Sequence, residues 1–220
     1  MTDIHTHIIP CVDDGSPSLE ESMKMIHHEI DIGVNTIICT PHHIIGRYEK
    51  SVEEIKEKFD ELVREVEKER LSIKLILGQE ICYTHREDII GMLKEGKLLT
   101  LGDTNKVLLE FSFHREPEDI TEIIYNFSVN GYQVIIAHAE RYEWITHNKV
   151  LSLRSEGALI QINSDSYLGL SSWKEKRFTR KLIKKNLVDY VASDTHSFRP
   201  STLDKVYRKI KQEQLFNYGN

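Results

Sequence analysis

Short apolar, β-branched runs alternate with stretches of helical period from one end of the chain to the other. A strand repeats every second residue and a helix every 3.6 or so, which separates the two patterns. Strand-like runs cover Asp3–Ile8, Asn35–Thr40, Ile73–Ile81, Lys106–Phe111, Gln133–His138, Ala158–Asn163 and Val188–Ser193. Between the first two, Ser18-Leu19-Glu20-Glu21 reads as a capping box that opens a helix through Ile32, with Gly33 as its stop. Ser51-Val52-Glu53-Glu54 opens another to about Arg70, with Ile55, Phe59, Leu62 and Val66 on one face. Further helical patterns cover Arg86–Glu95, Glu118–Asn130, His147–Glu156, Trp173–Lys185 and Ser201–Leu215. Strands that alternate with helices, without a linker or a repeat, predict an α/β fold with a mainly parallel sheet. No Gly-x-Gly-x-x-Gly follows the first strand, so a seven-unit barrel is preferred to an open dinucleotide-binding sheet.

Composition narrows the function classes. A chain of 220 residues suits one domain, spanning 1–220, and a net charge of −6 argues against a general nucleic-acid binder. No apolar run approaches the roughly 18 residues needed to cross a bilayer. Asp3, His5 and His7 interrupt the N-terminal isoleucines, which excludes a signal peptide and makes the cytoplasm the expected compartment. Cys11, Cys39 and Cys82 are odd in number and far apart, so they read as buried or half-buried free thiols.

The chemistry lies at the strand ends. In Thr2–Ile9, His5 and His7 share one face of the first strand, which makes half of a metal site. Asp13-Asp14-Gly15 follows in the loop. Thr40-Pro41-His42-His43 ends the second strand, Gly78-Gln79-Glu80 the third and Leu109-Glu110-Phe111 the fourth. Ala137-His138-Ala139-Glu140-Arg141 ends the fifth, and Ser193-Asp194-Thr195-His196 the seventh. In a parallel barrel these ends converge on one mouth. Burying that much polarity without metal would be costly. The donors His5, His7, Asp14, His42, Glu80, Glu110, His138, Asp194 and His196 include no thiolate, which suits Zn²⁺, Mn²⁺ or Fe²⁺ better than Ca²⁺. They exceed what one tetrahedral ion can use, so two or three ions bridged by carboxylates fit better. Four carboxylates against three divalent ions leave a net +2, which attracts a phosphomonoester dianion. Arg141 and Arg199 lie a few residues beyond these donors and could clamp phosphate oxygens as bidentate forks. His43, next to a donor, is a candidate substrate contact, and Asp194 or His196 a candidate proton donor. Asp13 could simply shape its turn, and Glu140 could support a donor from behind.

The series His-x-His, Asp-Asp-Gly, Thr-Pro-His-His, Gly-Gln-Glu-Ile, Leu-Glu-Phe, Ala-His-x-Glu-Arg-Tyr and Ser-Asp-x-His resembles the PHP (polymerase and histidinol phosphatase) superfamily. More narrowly, it is similar to the bacterial metal-dependent protein-tyrosine phosphatases encoded with capsule and exopolysaccharide genes. The resemblance runs from residue 1 to about 200 with the motifs in order. It implies a distorted (β/α)7 TIM-like barrel, the PHP fold, with a trinuclear, typically Mn²⁺-loaded centre. By position, His5, His7, Glu80 and Asp194 would hold one ion. Glu80 would bridge to a second, shared with Glu110 and His138, while Asp14, His42 and His196 would hold the third. Arg141 and Arg199 match the phosphate-binding arginines. The implied activity is that of a phosphoric monoester hydrolase, in which metal-activated hydroxide removes phosphate from tyrosine. The implied partner is the tyrosine-rich, autophosphorylated tail of a bacterial tyrosine kinase that regulates capsule or exopolysaccharide synthesis.

Two departures qualify the match. The segment between His196 and Arg199 is about two residues short of the family pattern, and the chain stops at Asn220 where relatives usually continue, so a shortened C-terminus is expected. A cysteine-based tyrosine phosphatase is excluded, because the position six residues beyond each cysteine, where its arginine would stand, holds Pro17, Ile45 or Asp88. Histidinol-phosphate phosphatase, a nuclease or polymerase-associated PHP domain, and a non-catalytic metal-binding docking module are the alternatives. Lys174–Lys185 packs seven basic residues with one acid. It reads as a solvated amphipathic helix or as a patch that grips an acidic phosphorylated tail.

Overall fold

The structure, a computed structural model, describes residues 1–217 and the side chains of residues 1–211. The last three residues of the span 1–220 lie outside the described residues. The strands are β1 (Thr2–Thr6), β2 (Thr36–Cys39), β3 (His42–His43), β4 (Lys74–Leu77), β5 (Glu80–Cys82), β6 (Lys106–Glu110), β7 (Gln133–Ile136), β8 (Leu159–Asn163) and β9 (Tyr190–Ala192). The helices are α1 (Leu19–Asp31), α2 (Val52–Lys68), α3 (Ile89–Lys94), α4 (Ile120–Val129), α5 (His147–Ser155), α6 (Ser164–Leu168), α7 (Trp173–Lys184) and α8 (Leu203–Asn217).

All the strand pairs are parallel, in two sheets ordered β1-β2-β4 and β3-β5-β6-β7-β8-β9. Two of the expected strands are therefore broken. The run Asn35–Thr40 ends at Cys39, because Pro41 has no N–H to continue the ladder, and the chain resumes as β3. The run Ile73–Ile81 breaks at the same level, at Gly78-Gln79, and resumes as β5. Both halves stay side by side: Cys39 is in register with Leu77, and His42 with Glu80. The ring closes where Asp194 N–H donates to His5 O at 2.9 Å and His7 N–H donates to Thr195 O at 3.0 Å. Seven strand positions thus surround one centre, in the distorted (β/α)7 arrangement expected.

Helix ends follow their local chemistry. Ser51 Oγ accepts from Glu54 N–H at 3.2 Å, and Glu54 reaches back to Ser51 N–H at 2.8 Å, completing that box. At α1 only half of the expected box forms: Ser18 Oγ accepts from Glu21 N–H, while the Glu21 carboxylate turns to Lys24. α3 starts later than the pattern suggested, because Asp88 Oδ1 accepts from Gly91 N–H and sets the cap there. The short α6 after β8 has no sequence signal. Cys39 is buried as expected and Cys82 half-buried, but Cys11 is exposed. Among the described residues no helix is long and apolar enough to cross a membrane.

Apolar residues fill the outer layers and the lower barrel. Inside it, Leu108 and Ala192 belong to a small buried cluster, and two residues further along the same strands come Glu110 and Asp194. The strand period thus places the polar groups directly above an apolar plug.

One buried acid stands apart from the centre. Glu29 on α1 is fully buried, neither carboxyl oxygen has a hydrogen-bond partner, and Asp3 and Ser201 are its polar surroundings. Burial, reinforced by the nearby Asp3 charge, pushes Glu29 up to about 9. The folded chain therefore keeps this proton while the unfolded chain, with its glutamate near 4.5, releases it; stability falls as pH rises between those values. Glu29→Gln should raise Tm by several degrees at pH 8 and by much less at pH 5. Calorimetry at both pH values checks this, and equal differences at both would contradict a protonated Glu29.

Candidate metal centre

The hub is Glu80, buried at the start of β5. Its Oε2 lies 3.2 Å from His5 Nε2, 3.4 Å from His7 Nε2 and 2.9 Å from His42 Nδ1. Its Oε1 lies 3.0 Å from His138 Nε2. Asp194 Oδ1 lies 3.6 Å from His5 Nε2 and 3.4 Å from His7 Nε2. Glu110 Oε1 lies 3.5 Å from His138 Nε2. Asp14 Oδ1 lies 3.5 Å from His42 Nε2 and 3.8 Å from His196 Nε2. The structure therefore brings together all nine donors named from the sequence. The triplets His7–His42–His196, His5–His7–Glu80 and His42–Glu80–Glu110 each place donor atoms within 4.8 Å of one another.

The surroundings decide which atoms face the centre. His5 Nδ1 lies 3.1 Å from Gln161 Oε1, an acceptor, so the proton sits on Nδ1 and Nε2 presents a lone pair. His7 Nδ1 lies 2.7 Å from Asp13 Oδ2, with the same consequence. The two bare Nε2 atoms then stand 3.1 Å apart, facing two carboxylate oxygens. His196 differs, since its Nδ1 lies 3.0 Å from the acceptor Asp194 O and 3.3 Å from the donor Arg199 Nη2. Glu80 Oε2, although close to three imidazoles, accepts no well-aligned hydrogen bond. Converging lone pairs of this kind call for a cation.

The charge balance of most donors agrees, with Glu110, pushed up to about 7 by burial and then by Glu80, as the exception. Burial disfavours protonated His5, but Glu80 and Asp194 outweigh it and raise that imidazole. Burial is overcome at His7 by Asp13, and His7 rises well above the ordinary range. Glu80, against burial, is held well below the usual carboxylate range by His5 and His42. The carboxylates thus demand positive charge at a spot where two close imidazoles could not both hold protons. A divalent ion meets that demand, and the N and O donors present fit Zn²⁺, Mn²⁺ or Fe²⁺. Burial also pushes His138 down to about 4, the neutral form that ligation needs.

Backbone strain aims two of the donors. His138 and Asp194 have φ of 29° and 52°, in the region that favours glycine. Such strain costs about 1–3 kcal/mol per residue and gathers at functional sites. Gly15 serves through closeness: a Cβ there would lie 2.0 Å from His7 O. That contact folds the Asp13-Asp14-Gly15 loop onto His7.

The geometry also shows where the remaining expected site residues lie. His43 does not face the centre; it follows His42 on β3, so strand alternation points it away, to Glu87 Oε1 at 3.0 Å. Arg199 turns inward, with Nη2 2.7 Å from Asp194 Oδ2 and donating to Asp194 O. Arg141 is looser, with Nη1 3.5 Å from Asp194 Oδ2 and its guanidinium 4.4 Å over the Phe113 ring. The proton-donor role expected of Asp194 or His196 is not favoured. Against burial, His5, His7 and Arg199 hold Asp194 well below the usual range. Burial and then His7 push His196 down to about 4.

Of the supports, the sequence reading anticipated only Glu140. Asp13 is more than a turn former: besides His7, it accepts from His42 N–H at 3.0 Å and Gly15 N–H at 2.9 Å. Gln161 and Asn163 on β8 also serve the centre. Gln161 Oε1 accepts from His138 N–H at 2.7 Å, and Asn163 Nδ2 donates to Asp194 Oδ2 at 2.8 Å. Their i, i+2 spacing on a buried strand repeats that of His5 and His7. Glu140 Oε1 accepts from Asn163 N–H at 2.9 Å, a support at one remove. An aromatic rim completes the mouth. Tyr48 stacks on His42 at 5.7 Å, and the exposed Phe198 lies 5.2 Å from His196.

Asp13→Asn keeps the shape but no longer holds the His7 Nδ1 proton with a charge. Metal affinity should fall by about 10- to 100-fold, the usual effect of losing such a support. Competition against a chelator measures it, and unchanged affinity would remove Asp13 from this role.

Comparison with known proteins places the chain in a family. The family model described as capsular polysaccharide synthesis, CpsB/CapC, matches residues 1–218. The chain is 36% identical over 202 residues to the tyrosine-protein phosphatase YwqE of Bacillus subtilis, covering 90% of this chain and 78% of the relative. It is 35% identical over 219 residues to the tyrosine-protein phosphatase CpsB of Streptococcus agalactiae serotype V, covering 96% and 89%. A crystal structure from work on YwqE of Bacillus subtilis and CpsB of Streptococcus pneumoniae, described as unique metal-dependent tyrosine phosphatases, superposes with a TM-score of 0.88. Its identity is 33%, and the match covers 95% of this chain and 87% of that one. With a family match along nearly its whole length and relatives above 30% identity, the chain belongs to the CpsB/CapC family of capsular polysaccharide synthesis.

Proposed function

We propose that this protein is a metal-dependent protein-tyrosine phosphatase. The observation that carries the reading is the convergence of four carboxylates and five imidazoles on one buried centre, with Arg141 and Arg199 at its edge. His5, His7, Glu80 and Asp194 would hold one divalent ion, Glu80 with Glu110 and His138 a second, and Asp14 with His42 and His196 a third. Mn²⁺ is the ion we favour, with Fe or Zn as possible occupants of the same donors. Bound there, such ions would supply Lewis acidity and a water acidified to near-neutral pKa.

The chain's own residues do the rest. Arg141 presents a half-exposed guanidinium at the mouth and is the better placed of the two arginines to take phosphate oxygens as they gain charge. Arg199 acts more as a brace: it holds the strained Asp194 against the barrel seam. Tyr48, Phe113 and Phe198 offer apolar rims to the ring of an aryl phosphate. A phenolate leaving group, with pKa near 10, departs without a dedicated proton donor far more readily than an alkoxide. This accords with the absence of a protonated group at Asp194 or His196. The substrate we assign is a tyrosine-phosphorylated protein of the cytoplasm, in the first instance an autophosphorylated bacterial tyrosine kinase that controls capsule or exopolysaccharide synthesis.

Chelation should abolish hydrolysis of phosphotyrosine peptides, and Mn²⁺ should restore it; near-wild-type turnover by stripped protein would sink the proposal. Alanine at His42, Glu80 or Asp194 should leave no measurable turnover at any metal concentration. Arg141→Ala should lower kcat/KM by roughly 10- to 100-fold, the worth of one or two charge-assisted hydrogen bonds, with metal content unchanged. Arg141→Lys should recover little of the loss, since an ammonium cannot reproduce the fork. The ratio of kcat/KM on phosphotyrosine peptide to that on histidinol phosphate separates this reading from a small-molecule phosphatase.

A further inference from the structure

The basic run Lys174–Lys185 forms α7, and nothing in the centre uses its charge. Lys174, Arg177 and Lys181 line one wall of a cavity of about 460 Å³, and Arg141 stands in the opposite wall. Tyr142, Ile145 and Phe178 add apolar surface. All three α7 cations are exposed, and among the described residues none of them has an ion-pair partner. Arg177 only lies over the Trp173 ring, at 5.5 Å.

The acids of the same cavity are already engaged. Glu175 accepts from Ser166 Oγ at 2.8 Å and from Ser171 Oγ at 2.5 Å. Glu143 Oε1 lies 3.2 Å from His114 Nδ1, and Glu140 Oε1 accepts from Asn163 N–H. Hydrogen-bonded carboxylates keep their charge, but the four lining cations Arg141, Lys174, Arg177 and Lys181 outnumber the three acids, which leaves a positive field over an apolar floor. That combination suits an anion carried on an apolar or aromatic stem.

Arg141 connects this cavity to the centre. One side of its guanidinium meets Asp194, and the same side chain lines the cavity. A polypeptide with a phosphotyrosine at the centre would carry its neighbouring residues across Arg141 toward α7. We infer that the cavity between Arg141 and the Lys174–Arg177–Lys181 face is a subsite for a second anionic side chain of the same polypeptide, either a carboxylate or another phosphotyrosine. This inference rests on the phosphatase reading. It adds that the enzyme selects for charge beside the scissile residue, which suits a segment crowded with acids or phosphotyrosines.

The test compares wild type with K174A/R177A/K181A, three exposed substitutions, on three peptides and p-nitrophenyl phosphate with Mn²⁺ present. The peptides share one phosphotyrosine and differ only in its neighbours: glutamates, a second phosphotyrosine, or glutamines. Wild type should prefer the anionic peptides over the glutamine peptide by about tenfold in kcat/KM, mainly through KM, and the preference should shrink with added salt. The triple variant should lose the preference and keep its rate on p-nitrophenyl phosphate. A larger gain from the second phosphotyrosine names phosphate as the occupant, and a larger gain from glutamate names carboxylate. Equal kcat/KM on all three peptides in wild type, or a preference that survives in the variant, overturns the subsite and leaves the phosphatase reading standing. Failure of wild type to hydrolyse any of the four substrates overturns both.

Discussion

A carboxylate that touches four imidazoles in a dry interior is the constraint around which this protein is arranged. Glu80 has His5, His7 and His42 around one oxygen and His138 at the other. In such surroundings a lone charge is costly, and attraction repays that cost only when the partners are held rigidly. The residues behind the imidazoles supply that rigidity. Asp13 and Gln161 choose which nitrogen of His7 and His5 carries the proton, so that the bare nitrogens point inward. The glycine of the Asp13-Asp14-Gly15 loop is needed for this, because any side chain there would push the loop off His7.

The barrel serves the same end. Its strands put an apolar layer below and a polar layer two residues above, so desolvation of the donors comes from the fold itself. The strained backbones of His138 and Asp194 show where the regular strand path and the required donor direction disagree. That disagreement is settled in favour of the centre, with Gln161 bracing the first, and Arg199 and Asn163 bracing the second.

Much of this was legible in the chain. Alternating strands and helices, with a His, Asp or Glu at six of seven strand ends, pointed to a barrel mouth and to the donors found there. What resisted reading has physical causes. The splitting of the second and third strands depends on Pro41 and on a register shared by distant segments, and period alone does not encode that. His43 looked like an addition to the His42 motif, yet adjacency on a strand means opposite faces. Arg199 was placed near phosphate from its position in the motif, but its direction follows from the tight turn that pairs His196 with Arg199. Gln161 and Asn163 were overlooked because amides seldom ligate metals, although their spacing on a buried strand was visible.

The seam where β9 meets the residues after β1 has a consequence for how the protein is made. His5 and His7 are made long before their partners Asp194 and His196, which lie far along the sequence from them. Until then, these early imidazoles can bind metal only loosely and in the wrong company. Pairings across so long a separation form late and slowly. The centre is therefore complete only once the segment after β9 has been made, and an ion captured there would act as a clasp joining the first and last strands of the barrel.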